Sequence, residues 1–237
     1  MGFFQKLFRL SDKMNQNDDG NTFDVNEYNN YNNAKIKEFN DKYDLSTKEG
    51  IMAIPVSEAT KYPDVNSVSV VYMPEQILSR KATEYKKLKN YDLAIECLKK
   101  VNELYPYSPF AYTRNDYERL VDMMVLAGRF DEAKVEHNKL DKKYGSRLME
   151  LKNLQNSVVA MGSESASSYQ KRVIDPYIVE ANDREQYYWM LENKPNLAPK
   201  SFGGYRNMKN KKTETYLKII AELRQDGEDI NNLKFWN

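Results

Sequence analysis

The sequence predicts a mainly α-helical protein built around a short array of helical hairpins. Three observations support this fold class. Apolar residues recur every three or four positions along most of the chain after residue 75, β-branched runs are few and short, and Gly or Asn residues separate the periodic stretches. At 237 residues with 12% aromatic side chains, the chain can bury a sizeable core.

Composition excludes several functional classes. The 36 Lys and Arg residues nearly balance the 35 Asp and Glu residues, so the whole molecule carries no field that favours nucleic acid or an anionic membrane. One cysteine, Cys97, and one histidine, His137, cannot form an intramolecular disulfide, a multi-thiolate metal site or a paired-histidine metal site. We therefore expect no enzyme activity, no catalytic residue, no metal and no cofactor, in a reducing, cytoplasmic location.

Residues 1–33 are predicted to form a short amphipathic helix followed by a flexible linker. Within residues 3–10, the apolar side chains that fall on one helical face are Phe3, Phe4, Leu7 and Phe8, with Lys6 and Arg9 outside it. Such a segment docks either on its own core, which we favour, or on a partner or membrane surface. Residues 15–33 are dense in Asn and Asp and predict the linker.

Residues 34–75 are predicted to be irregular. Ile36, Phe39 and Tyr43 recur at helical spacing, and short β-branched runs follow at residues 51–56 and 67–72 between prolines. These two runs predict strands paired in one small β-hairpin, although irregular extended packing against the helices would produce the same letters.

Two helical hairpins are predicted between residues 76 and 145. In the first, two apolar helices meet at a corner formed by Lys89 and Asn90. Ala82 and Ala94 allow the helices to approach closely, Tyr85 and Tyr91 fill the space between them, and Pro106 closes the unit. Around the second corner the pattern repeats, because Phe130 follows Tyr91 by 39 residues (130 − 91).

This spacing resembles that of tetratricopeptide repeats. The chain departs from the family where Leu78 replaces an aromatic residue and Lys89 a glycine, and the second unit matches only near its corner. The 39-residue offset exceeds the repeat length of roughly 34 residues, so we expect a lengthened junction at residues 105–113. Two units also need flanking structure to cap them.

The resemblance implies a concave, partner-binding face drawn from the first helix of each hairpin. In this chain the residues are Arg80, Thr83, Glu84, Lys87, Asn115, Glu118, Arg119 and Asp122. Their mixed charge favours recognition of a protein or peptide through local pairs and hydrogen bonds. The alternative is that the hairpins only support the terminal regions.

The remaining residues are predicted to cap the array and to form a small C-terminal helical module. A helix from Ser146 to about Val159 is the expected cap and completes a unit at residues 76–162. The Ser-rich residues 162–168 predict a linker or exposed loop. Residues 169–237 form the module, with helices at residues 177–193 and 213–225.

A basic segment at residues 199–212 offers a second binding site. It contains no acidic residue, and the residues of interest are Lys200, Phe202, Tyr205, Arg206, Lys209, Lys211 and Lys212. Lysine and arginine neutralise phosphates and aromatic rings stack on bases, which favours single-stranded nucleic acid or a phosphorylated ligand. Inward packing of the aromatic residues beneath solvated lysines explains the same pattern.

Isolated titratable residues predict structural roles. We expect His137 to pack at the surface or half-buried, Cys97 to fill space within a helix, and the Glu180 and Asp183 pair to lie on an exposed helix face.

The function that these predictions favour is an adaptor or scaffold that binds a protein or peptide. The alternative is a nucleic-acid-associated protein that uses residues 199–212. High Asn, Lys and Tyr usage indicates an AT-rich coding sequence, which suggests a bacterial or phage origin.

Overall fold

The structure, a computed structural model, describes residues 25–61 and 73–236, which form helices without any β-strand in those ranges. None of the helices there is long and apolar enough to cross a bilayer. The α-helices in chain order are α1 (Val25–Lys42), α2 (Lys48–Met52), α3 (Pro74–Lys87), α4 (Tyr91–Leu104), α5 (Arg114–Leu126), α6 (Phe130–Tyr144), α7 (Arg147–Ala160), α8 (Glu164–Tyr169), α9 (Asp175–Asn193), α10 (Phe202–Lys211) and α11 (Glu214–Gln225).

The first hairpin packs α3 against α4 at the predicted corner. Pro74 at the start of α3 fits the first helical turn, where its missing N–H leaves no bond unmade. Lys89 takes a left-handed conformation with φ 59°, and the side chain of Asn90 caps α4 by accepting from Leu93 N. Ala82 and Ala94 are fully buried between the helices. The predicted packing of adjacent helices is confirmed.

The second hairpin packs α5 against α6 around a glycine corner. A capping box between Thr113 and Asp116 starts α5, and Gly128 (φ 74°) makes the left-handed turn before α6. The Arg114 side chain is buried and joins both helices, because its guanidinium donates to Glu118 on α5 and to Asp141 on α6.

Residues 105–113 form the junction between the hairpins, and this junction packs against the start of α3. A 3₁₀ turn at Tyr105–Tyr107 ends α4, and the Tyr105 ring stacks on Tyr112 at 3.8 Å between centroids. The Glu75 carboxylate is buried and accepts from the hydroxyls of Tyr112 (2.9 Å) and Ser108 (2.6 Å). The junction therefore covers the start of α3 in the first hairpin.

The N-terminal flank is helical where a linker and a strand were predicted. Helix α1 already begins at Val25, within the predicted linker. The strand at residues 51–56 is wrong, because the Thr47 side chain accepts from Gly50 N and starts α2. A glycine is needed there, since a Cβ on Gly50 would lie 2.0 Å from Asp44 O. The other strand, residues 67–72, and the amphipathic residues 3–10 lie outside the described residues.

This flank caps the first hairpin. Its buried side chains join the core that the hairpins share: Phe39, Leu45, Ile51, Ile54 and Ala59. The Tyr85 hydroxyl on α3 donates to Leu45 O at 2.6 Å inside this contact.

Beyond the hairpins, the structure differs from the prediction in two ways. Helix α7, predicted to cap the array, packs mainly against α9 and the π-helical turn Gln170–Ile174, with a smaller contact to α6. Most of the predicted Ser-rich loop is helix α8, because the Ser163 side chain caps it by accepting from Ala166 N. The second hairpin is covered instead by α9 and the C-terminal residues. Tyr188, Phe235 and Trp236 pack there against Phe130 and His137.

Candidate partner-binding surface

The predicted partner-binding residues of α3 lie on its solvent-facing side. Arg80, Thr83, Glu84 and Lys87 are all exposed. On α5, Arg119 is exposed along most of its length and its guanidinium donates to Ser79 O on α3 at 3.4 Å. This hydrogen bond links the first helices of the two hairpins.

The α5 part of this surface is largely engaged by other parts of the same chain. Both Asp122 oxygens accept from the Arg184 guanidinium of α9 at 2.6 Å, and the Tyr188 hydroxyl also donates to Asp122. Burial, and then the Asp122 charge, raise the pKa of Tyr188 well above its ordinary value, so the phenol stays protonated as a donor. Glu118 accepts from Arg114 Nε at 2.8 Å. Only Asn115 and Arg119 of the predicted α5 residues remain exposed.

The α3 part of the surface borders a cleft that the chain's own α1 completes. The cleft has a volume of about 440 Å³ and is open to solvent. It is lined by Ile36 and Asn40 of α1, by Tyr43, Asp44, Leu45 and Ser46 of the following turn, and by Ile77, Arg80, Lys81 and Glu84 of α3. The sequence analysis identified Arg80 and Glu84 but not the wall formed by α1, because the helical spacing of Ile36 and Tyr43 indicates a helix without showing that it packs beside α3.

The rim of the cleft carries both signs of charge. Hydrogen bonds from the Ser46 hydroxyl and backbone N–H lower the pKa of Asp44, which keeps this carboxylate ionised. Lys81 and Glu84 pair at 3.1 Å, while Arg80 has no carboxylate within ion-pair distance among the described residues. The lining as a whole mixes a few apolar side chains, among them Ile36 and Ile77, with polar and charged ones, which suits an amphipathic peptide segment.

The basic segment at residues 199–212 is partly neutralised by its neighbours. Arg206 pairs with Glu180 at 2.8 Å, and Lys209 pairs with Asp183. The Tyr205 ring is fully buried and its hydroxyl donates to Gln186 at 2.8 Å. The residues of the segment that stay exposed, without an ion pair in the part of the chain described, are Lys200, Lys211 and Lys212.

The prediction that Asp183 lies on an exposed helix face is wrong. Its side chain is 0% exposed, because α10 folds back over α9 and brings Arg206 and Lys209 onto it. Phe202 and Met208 are half-buried around Tyr205, so the inward packing considered for this segment takes place.

Neither lone reactive residue faces the cleft. His137 is buried and its ring stacks on Trp236 at 3.7 Å between centroids. Burial, aided by the Arg114 charge and opposed by Asp141, lowers the pKa of His137 to about 4, so the ring is neutral at pH 7. Cys97 is fully buried, and burial raises the pKa of its thiol to about 12. The described residues contain no group of three or more His, Cys, Asp or Glu side chains that could hold a metal ion.

Comparison with known proteins gives no match to this chain among protein-family models, curated proteins or solved structures. The function is therefore inferred from the surface itself.

Proposed function

We propose that this chain is a protein-interaction module, of adaptor or scaffold type, that binds a protein or peptide partner through tetratricopeptide-like hairpins formed by α3 to α6. Its role is binding rather than catalysis. The observation that carries the proposal is the open α3 face, where exposed side chains of mixed charge border a cleft with Ile36 and Ile77 in its lining.

The chemistry of this face defines the kind of partner. The cleft lining combines the apolar side chains of Ile36, Leu45 and Ile77 with polar and charged ones, so it accepts a helical or extended segment that has both an apolar and a polar side. The charged rim adds specificity through local ion pairs, which also discriminate against partners of a single strong charge. We therefore expect an amphipathic segment with both acidic and basic residues.

Charge reversal on α3 tests the proposal in the full chain. Arg80→Glu combined with Lys87→Glu changes two exposed side chains that are not needed for the core. We expect the amount of a specific partner captured from the native host to fall about tenfold, since charge reversal replaces attractive contacts with like charges that face each other across the interface.

The matched control reverses two exposed lysines elsewhere, Lys152→Glu on α7 with Lys218→Glu on α11. It applies the same change in net charge and should leave capture unchanged. Equal capture by both variants, or equal loss in both, contradicts the assignment of α3 as the binding face.

The second candidate function, nucleic-acid binding through residues 199–212, is supported by the three exposed lysines at positions 200, 211 and 212. Three phosphate contacts to a single strand predict that log K falls with log salt concentration with a slope of about −2. Replacing all three lysines by glutamine should abolish that slope. Undetectable binding at low ionic strength, or binding that survives the replacements, rules this candidate out.

A further inference from the structure

The cleft beside α3 is an incompletely filled contact within the molecule. Helix α1 and the turn after it form one wall and α3 forms the other, and about 440 Å³ between them is open. Phe39 anchors α1 in the shared core, while Ile36 and Tyr43 are only half-buried. That volume falls within the range of roughly 300–1,000 Å³ that is usual for ligand sites, and Ile36, Leu45 and Ile77 supply apolar contacts among the polar side chains of the lining.

The same chain carries a segment with the matching pattern. Residues 3–10, outside the described residues, place Phe4, Leu7 and Phe8 at helical spacing, with Lys6 and Arg9 outside that apolar face. We propose that this segment binds in the cleft between α1 and α3 and that an external partner must displace it. Binding of residues 3–10 in the cleft does not depend on the proposed function, whereas competition between this segment and an external partner rests on it.

The tether has the length that this contact needs. Fourteen residues, 11–24, connect the segment to the start of α1. A polar chain of that length has a root-mean-square span of roughly 20 Å. From Val25 to Asn40, the α1 residue that lines the cleft, the helix rises roughly 22 Å.

This match of lengths favours occupancy by the tethered segment. A tether whose span equals the separation gives an effective concentration on the order of 1 mM. A segment that binds with a dissociation constant of about 100 µM as a free peptide would then fill the cleft in about nine molecules in ten.

Charge supports the cleft over a membrane as the binding site. The rim has two acidic side chains, Asp44 and Glu84, and two basic ones, Arg80 and Lys81, so it has no net charge. Asp44 offers its carboxylate to Lys6 or Arg9, and Glu84 can exchange its pair with Lys81 for one of them. Segments that bind anionic membranes by charge usually carry clusters of roughly four to eight basic residues. Residues 3–10 carry two, and the protein as a whole has a formal charge of +1.

Disulfide trapping in the full chain tests the occupancy. Gln5→Cys lies beside the apolar face without removing any of it, and Asn40→Cys lies on the exposed rim. The native Cys97 is fully buried and does not compete. Under mild oxidation we expect an intramolecular disulfide to form at least about tenfold faster than in the control pair of Gln5→Cys with Lys218→Cys, because only a docked segment holds the two sulfurs in range.

A second substitution separates docking from chance encounters. Adding Phe4→Ser and Phe8→Ser to the trapping pair should slow the disulfide about tenfold, because those side chains drive the contact. Equal rates for the two pairs, or a rate insensitive to these serines, overturns the proposal. Disulfide-linked dimers in place of the intramolecular product assign the cleft to a second copy and also overturn it.

In the last experiment, disulfide formation is measured in the presence of vesicles of mixed phosphatidylserine and phosphatidylcholine. If the rate of disulfide formation is unchanged by the vesicles, the result supports binding in the cleft. If the protein sediments with the vesicles and the disulfide no longer forms, the segment binds the membrane instead. The amount of partner captured from the native host tests the proposed function separately from the disulfide experiment. Phe4→Ser with Phe8→Ser should raise the amount of captured partner about tenfold. The disulfide experiment does not depend on the effect of Arg80→Glu with Lys87→Glu on capture, so the two proposals can fail separately.

Discussion

Helices α3 and α5 occupy corresponding places in the two hairpins, yet the rest of the chain uses them differently. The outer face of α3 leaves Arg80 and Lys87 exposed beside an open cleft. On α5, Arg114 is buried against α6, and Asp122 is bonded to Arg184 of α9. The first hairpin therefore leaves its outer face exposed to solvent, while the second uses the corresponding residues for contacts within the chain.

The largest expected difference between the two helices is in stability. Arg114→Ala should lower the free energy of unfolding by about 3 kcal/mol, because it removes a buried guanidinium that joins Glu118, Asp141 and Gly145 O and leaves those acceptors partly buried. Arg80→Ala on α3 should change it by less than about 0.5 kcal/mol. Urea unfolding of the two variants measures both values. Similar losses would contradict the division of roles.

The second hairpin should also weaken in acid through His137. The folded pKa of about 4 lies below the ordinary value of 6.5, so the folded protein resists protonation and the unfolded chain does not. Stability from this group is complete above pH 6.5 and is lost as pH falls towards 4, by about 2 kcal/mol between pH 7 and pH 5.

The measurement is urea unfolding at both pH values for the native chain and His137→Gln. The variant has no imidazole to protonate, so between pH 7 and pH 5 its free energy of unfolding should fall by about 2 kcal/mol less than that of the native chain. Identical pH dependence in the two proteins would mean that His137 is not held neutral by burial.

A smaller effect separates the two hairpin corners. Gly128→Ala should cost about 1 kcal/mol because φ 74° strains a residue with a side chain. Lys89→Gly should stabilise by up to about 0.5 kcal/mol, since the strain at φ 59° is relieved but the unfolded chain gains freedom. Thermal or urea unfolding measures the change in the free energy of unfolding for each variant. A change of the same sign in both would contradict this account of the corners.

Local pattern was sufficient to predict α3 to α6, because helical periodicity, Asn90 and Gly128 fix where those helices begin and end. It failed where a contact with a residue far away in the sequence determines whether a side chain is exposed. Asp122 looked available for a partner, yet Arg184 reaches it from 62 positions away along the chain. Asp183 looked exposed until α10 folded over it. The wall that α1 adds to the cleft could not be placed either, because no local signal connects residues 36–46 to α3.

The most direct test of the central claim is calorimetric titration of a captured partner into the full chain, with unfolding measured on the same samples. The account predicts that Arg80→Glu with Lys87→Glu weakens binding about tenfold, equal to about 1.4 kcal/mol, while the free energy of unfolding stays within about 0.5 kcal/mol of the native value. Unchanged affinity, or a loss of affinity matched by an equal loss of stability, would contradict the claim that α3 presents the binding surface.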